Sequence, residues 1–126
     1  MVKRFEFKDN KLKLDIAGNI FELDTANPEL IKRVLDFSEE AQEKAKELSG
    51  KENYVEALEE TIQFCLDSID CMLGEGASKK IFAGRKVGLF DCLDVINYIV
   101  TEVKTDREEK FKVYSPNRVA RRAVKK

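Results

Sequence analysis

Between positions 89 and 103 the chain sets Leu89, Phe90, Cys92, Leu93, Val95, Ile96, Tyr98, Ile99, Val100 and Val103 among few polar residues. A helix over this stretch is apolar around most of its circumference and must be covered on several sides, since each Å2 of apolar surface left in water forfeits about 25 cal/mol. Either it is the central helix of the domain, packed by everything else the chain forms, or one flank is reserved for a second chain. Both outcomes demand further amphipathic elements from the remaining sequence. A chain of 126 residues has room for one core of this kind.

Two such elements precede it. Leu30, Val34, Phe37, Ala41, Ala45 and Leu48 recur at steps of four and three, an apolar stripe along about five helical turns. Asn27-Pro28-Glu29 supplies the start: an N-cap acceptor, a proline where no hydrogen bond is lost, and an acid in the first turn. Gly50 supplies the end. Val55, Leu58, Ile62, Cys65, Ile69 and Met72 repeat the pattern, so the two helices are expected to pack as an antiparallel pair. Their outer faces carry Glu39, Glu40 and Glu43, and Glu56, Glu59 and Glu60, as solvated acidic surfaces. Gly74, Gly76, Gly84 and Gly88 then frame a short segment over residues 77–82, which reads as a jointed connection. The run Gly74-Glu75-Gly76-Ala77-Ser78-Lys79-Lys80 only superficially suggests a phosphate cradle: it follows a helix, contains an acid, and lacks the four residues between glycines that such a loop needs.

The first 24 residues have a different period. Phe5 and Phe7 alternate with Arg4, Glu6 and Lys8, and Leu12, Leu14 and Ile16 alternate with Lys11, Lys13 and Asp15. Asp9-Asn10 and Ala17-Gly18-Asn19 are turn-forming, which predicts a three-stranded meander ending at residues 20–23, or at least a hairpin. The expected fold class is α+β, mainly α: a small antiparallel β-meander or hairpin over residues 1–24, then three long helices and one short helix over residues 27–104. Residues 1–110 form the single globular domain and residues 111–126 a flexible basic tail.

Charge and composition narrow the function. Residues 111–126 carry Lys112, Arg118, Arg121, Arg122, Lys125 and Lys126 and no acid, whereas residues 1–110 hold 17 bases against 24 acids. A basic tail behind an acidic body points to binding, through arginines that pair with carboxylates or phosphates on a segment too polar to fold unaided. The chain has no histidine, so the commonest proton shuttle and any Ser-His-Asp or Cys-His relay are missing. Cys65, Cys71 and Cys92 form no CxxC pair and lie in helical apolar patterns, where reduced thiols act as small hydrophobes. No metal site, cofactor or catalytic residue is expected, and the acids are spread along helix faces. The apolar runs are too short to span a membrane, and Met1-Val2-Lys3-Arg4 leads straight into alternating charges without a secretory signal, so a cytoplasmic protein is expected. Nucleic-acid binding through the tail is an alternative, opposed by the negative body and by the lack of an aromatic platform.

Leu73-Gly74-Glu75-Gly76-Ala77, Lys80-Ile81-Phe82-Ala83-Gly84-Arg85-Lys86, Asp94-Val95-Ile96-Asn97-Tyr98-Ile99 and Tyr114-Ser115-Pro116-Asn117-Arg118-Val119-Ala120-Arg121-Arg122 together resemble small proteins from tail-gene clusters of phages and prophages of Gram-positive bacteria, the tail assembly chaperones. The resemblance is clearest over residues 70–122. It implies a non-catalytic protein that binds the long tape measure protein, keeps it soluble until the tail tube assembles around it, and is absent from the mature particle. It also implies a longer frameshifted product that recruits tail tube protein, with Lys125-Lys126 compatible with an AAA-AAG slippery run. A structural tail component is a further alternative. The residues expected to meet the client flank the glycine-rich joint: Met72, Phe82, Leu89 and Phe90, with Arg118, Arg121, Arg122, Lys125 and Lys126 as an electrostatic adjunct. Surplus apolar helix surface makes a homo-oligomer plausible.

Overall fold

The computed structural model describes residues 2–114, in the order β1 (Leu12–Ile16), β2 (Asn19–Leu23), α1 (Pro28–Glu47), α2 (Tyr54–Leu73), α3 (Ala77–Ile81) and α4 (Leu89–Tyr114). It is α+β and mainly helical: a two-stranded antiparallel hairpin, three long helices and one short helix.

In the hairpin, Leu12 pairs with Leu23, Leu14 with Phe21 and Ile16 with Asn19. Its two-residue turn puts both central residues in the left-handed region, Ala17 at φ 54° and Gly18 at φ 85°, as a hairpin turn that matches strand twist requires. The Gly18 amide donates to Asp15 Oδ1 at 2.9 Å, and Asn19 Nδ2 donates back to the Ile16 carbonyl at 3.3 Å. Leu14, Ile16, Phe21 and Leu23 face inward and are buried, while Lys13, Asp15, Ile20 and Glu22 face out. The expected third strand is absent. Phe5 and Phe7 lie on an extended, exposed arm, and Asp9-Asn10 makes no hairpin turn. Asp9 Oδ1 instead accepts from the Lys11 amide at 3.1 Å, and the Asn10 carbonyl is taken by Lys110 Nζ.

The start of α1 follows the sequence signals: Asn27 Oδ1 accepts from the Glu29 amide at 3.0 Å and Pro28 occupies the first turn. The helix ends at Glu47 and tightens through a 3-10 turn, Leu48–Gly50. In α2 the buried stripe begins at Thr61 and runs through Cys65, Ser68, Ile69 and Met72, so Val55, expected inside, is exposed. The hydroxyls in this stripe are satisfied within the helix, Thr61 to the Ala57 carbonyl at 2.8 Å and Ser68 to the Phe64 carbonyl at 2.7 Å. α3 begins after Gly76, at φ 81°, and its Ser78 amide donates to Asp70 Oδ1 at 2.8 Å, which fastens the glycine joint to α2.

α4 is the central element, packed by α1, α2 and β1. Leu89, Cys92, Ile96, Ile99 and Val103 are buried at steps of three and four, and Leu93, Val95 and Val100 pack at the margin of the same core. The helix does not stop near residue 104. It continues through residues 105–110 to Tyr114, carried by strong helix formers and by an Asp106–Lys110 ion pair one turn apart at 2.8 Å. Residues 111–114, expected in the tail, form the exposed last turn of this helix.

Candidate functional site

Of the four residues expected to meet a client, three are core. Met72, Phe82 and Leu89 are buried in the cluster that contains Ile69, Cys92 and Ile96, so in the monomer they are not surface. The glycines around them set the angle of α3 against α2, and the apolar side chains close over that joint. Phe90 alone is exposed, on the first turn of α4. One helical turn apart along the same face come Asp94 and Tyr98, which border a shallow depression completed by Asp15, Ile16 and Ala17 of the hairpin. The remaining expected residues, Arg118, Arg121, Arg122, Lys125 and Lys126, lie outside the described residues.

An apolar cavity lies at the other end of α4, about 26 to 36 Å along the helix from Phe90 at 1.5 Å per residue. It measures about 180 Å3 and is lined by Ala26 and Thr25 of the β2–α1 connection, Asn10 before β1, and Arg107, Lys110, Phe111 and Tyr114 of α4. Phe111 is 64% exposed and Tyr114 79% exposed, with exposed Val113 beside them, so the last turn of this helix presents three large apolar side chains to solvent.

The floor of that cavity is polar and fully paired. Thr25, a buried residue, donates from Oγ1 to Asp106 Oδ2 at 2.6 Å. Lys110 Nζ lies 2.8 Å from the same carboxylate oxygen, 2.9 Å from Thr25 Oγ1, and also reaches the Asn10 carbonyl. One ammonium thus gathers three segments distant in sequence: the entry to β1, the turn before α1 and the last third of α4. Partly buried charge-assisted bonds of this kind hold geometry better than exposed pairs do. The aromatic residues above are carried on a fixed base. Arg107, half-buried at the rim, adds a planar cationic donor. An apolar groove with a few convergent polar groups is the form a binding site takes.

The thiols are of two kinds. Cys65 and Cys92 are buried in the core, and Cys71 is exposed. Burial pushes the Cys65 thiol from 9.0 up to about 11. Cys92 is pushed up to about 12, by burial first and then by the neighbouring Cys65 and Asp91. Such thiols stay protonated and unreactive at neutral pH. Among the described residues no group of three or more Cys, Asp or Glu side chains is placed to hold a metal ion, and no helix is long and apolar enough to cross a membrane.

Sequence reasoning missed the Thr25–Asp106–Lys110 cluster because its members are 81 and 85 positions apart and nothing local marks them. Phe111, Val113 and Tyr114 carried a usable signal: apolar residues interrupting a stretch otherwise read as tail. The fold defines a small α+β domain, mainly helical, with a hairpin on one side and an aromatic groove at the end of its central helix. More particularly, the model of a family of unknown function (DUF6673) matches residues 17–125, and the chain belongs to that family. No curated protein and no solved structure matches the chain.

Proposed function

We propose that this chain is a non-catalytic tail assembly chaperone of a phage or prophage, acting in the host cytoplasm. It holds an apolar helical segment of the tape measure protein in solution and leaves before the particle is complete. The observation that carries the reading is the end of α4, where Phe111, Val113 and Tyr114 are exposed beside the Ala26 groove on a helix anchored by Lys110. Exposed aromatic side chains on a rigid helix are the means by which a soluble protein grips an apolar partner at low entropic cost. The basic residues Arg118, Arg121 and Arg122 follow that surface directly in sequence and suit a client helix with an acidic flank. A body carrying 24 acids keeps the complex soluble while the groove is filled.

On this reading the client is met at the end of α4 and not at the glycine joint, whose Met72, Phe82 and Leu89 are buried, with Phe90 as a secondary contact. A frameshifted longer product that recruits tail tube protein belongs to the same reading. Co-expression tests the reading. With the wild-type chain the tape measure protein of the same gene cluster stays in the soluble fraction; with Phe111→Ser and Tyr114→Ser combined it precipitates. A tape measure protein equally soluble with and without the chain overturns it.

A further inference from the structure

We infer that two copies of this chain pair by exchanging their N-terminal arms, each arm adding a third strand to the free edge of β2 in the other copy. Residues 2–8 form an extended segment in which Phe5 and Phe7 are 77% and 91% exposed and stack edge to face on one side, with ring centroids 4.9 Å apart. Arg4, Glu6 and Lys8 occupy the other side, the two-fold alternation of a strand. Among the described residues no main-chain group of this arm bonds another main-chain group.

The hairpin is the complementary fragment. It has two strands only, and no backbone hydrogen bond links its outer sides to any other element. A two-stranded sheet is marginal, and an open edge is a template for a further strand. Within its own chain the arm pairs with neither edge, since no backbone turn forms at Asp9-Asn10 and Asp9 Oδ1 instead accepts from the Lys11 amide. Each copy carries one unpaired strand and two open hairpin edges, so a second copy can supply a strand to one of them. A reciprocal exchange about a two-fold axis then pairs both arms.

Charge selects the edge. Residues 2–8 hold three bases and one acid, whereas β2 holds Glu22, with Asp24 just beyond it, and no base. Residues 11–16 of β1 hold Lys11 and Lys13 against Asp15, so that edge repels the arm. A cleft of about 360 Å3 lies beside the start of β2, between residues 18–21 and residues 73–77 with Lys80. It is bridged where Asn19 Nδ2 donates to the Lys80 carbonyl at 3.1 Å, so the added strand lies along the outer edge from Ile20 onward. With Phe5 and Phe7 turned to the buried face, Arg4, Glu6 and Lys8 lie on the face of Glu22, whose own partner Lys11 is a loose 4.0 Å away. Glu6 is itself 3.4 Å from Arg4. Phe5 and Phe7 then extend the buried face that carries Phe21 and Leu23. The pairing stands whether or not the chain serves a tape measure protein.

Sedimentation equilibrium of the full chain at about 100 μM, well above the range of a modest interface, gives a dimer. Deleting residues 2–8 gives a monomer with an unchanged helical circular dichroism spectrum. Glu22→Lys weakens the dimer about tenfold, because the repulsion acts twice by symmetry, and adding Arg4→Glu with Lys8→Glu to the same chain restores it. A monomeric full chain, a dimer indifferent to loss of the arm, or an arm protected only when a client is present would each overturn the exchange.

Discussion

The two halves of α4 differ in what their apolar residues are for. In the first half Leu89, Cys92, Ile96, Ile99 and Val103 form an unbroken buried seam, closed by α1 and α2 on the sides and by β1 across the top. In the second half none of residues 104–114 is buried, yet Phe111, Val113 and Tyr114 return as exposed apolar groups after seven polar positions. One continuous helix thus serves as the spine of the core and as a projecting arm. The first half is densely packed, and the second leaves Phe111, Val113 and Tyr114 in solvent.

That contrast can be broken most forcefully from the core side. Ile99→Ala, at a side chain with no exposed surface, should cost about 2–5 kcal/mol, read from urea unfolding. Phe82→Glu or Leu89→Glu should unfold the protein rather than merely weaken client binding, seen as loss of the helical spectrum. Survival of the fold with full stability would return these residues to the surface and dissolve the difference between the halves.

Next in size is the joint between them. Thr25→Val removes the hydroxyl shared by Asp106 and Lys110 and should cost about 1–2 kcal/mol in thermal unfolding, with added mobility at residues 107–114. Phe111→Ser with Tyr114→Ser should change stability by no more than about 0.5 kcal/mol while abolishing client solubilisation, which separates the two roles cleanly.

The thiols sharpen the comparison at the smallest scale. In the native protein a thiol reagent should modify Cys71 alone of the three, and all three after denaturation. Since Cys65 and Cys92 have folded values raised from 9.0 to about 11 and about 12, their contribution is intact below pH 9 and is lost as pH rises through that window, where only the unfolded chain releases the protons. Stability measured from pH 8 to 11 should therefore fall, and fall less in Cys65→Ala with Cys92→Ala. Equal slopes would show that these thiols are not sealed in the core.

Helix periodicity made most of the fold legible. The stripe from Leu30 to Leu48 and the cap at Asn27 specify α1, and the seam at positions 92, 96 and 99 specifies the centre, because spacing and apolarity are local properties. Strand alternation at Phe5 and Phe7 was equally plain but insufficient. Whether an alternating segment pairs depends on more than its own pattern, and here no backbone turn forms at Asp9-Asn10. The end of α4 was misjudged for a related reason: a polar run signals departure from the core, and the Asp106–Lys110 and Thr25 contacts that keep it helical and anchored are tertiary. The candidate site was harder still. Met72, Phe82 and Leu89 are as apolar as any client surface, and only packing tells which apolar residues are already covered.

Hydrogen exchange along α4, measured for the chain alone and mixed with the tape measure protein, tests the division of the helix most directly. Amides of residues 107–114 should slow sharply on mixing, while those of residues 92–103 stay as slow as they already were. No change at residues 107–114, or opening of residues 92–103 to admit the client, would contradict it.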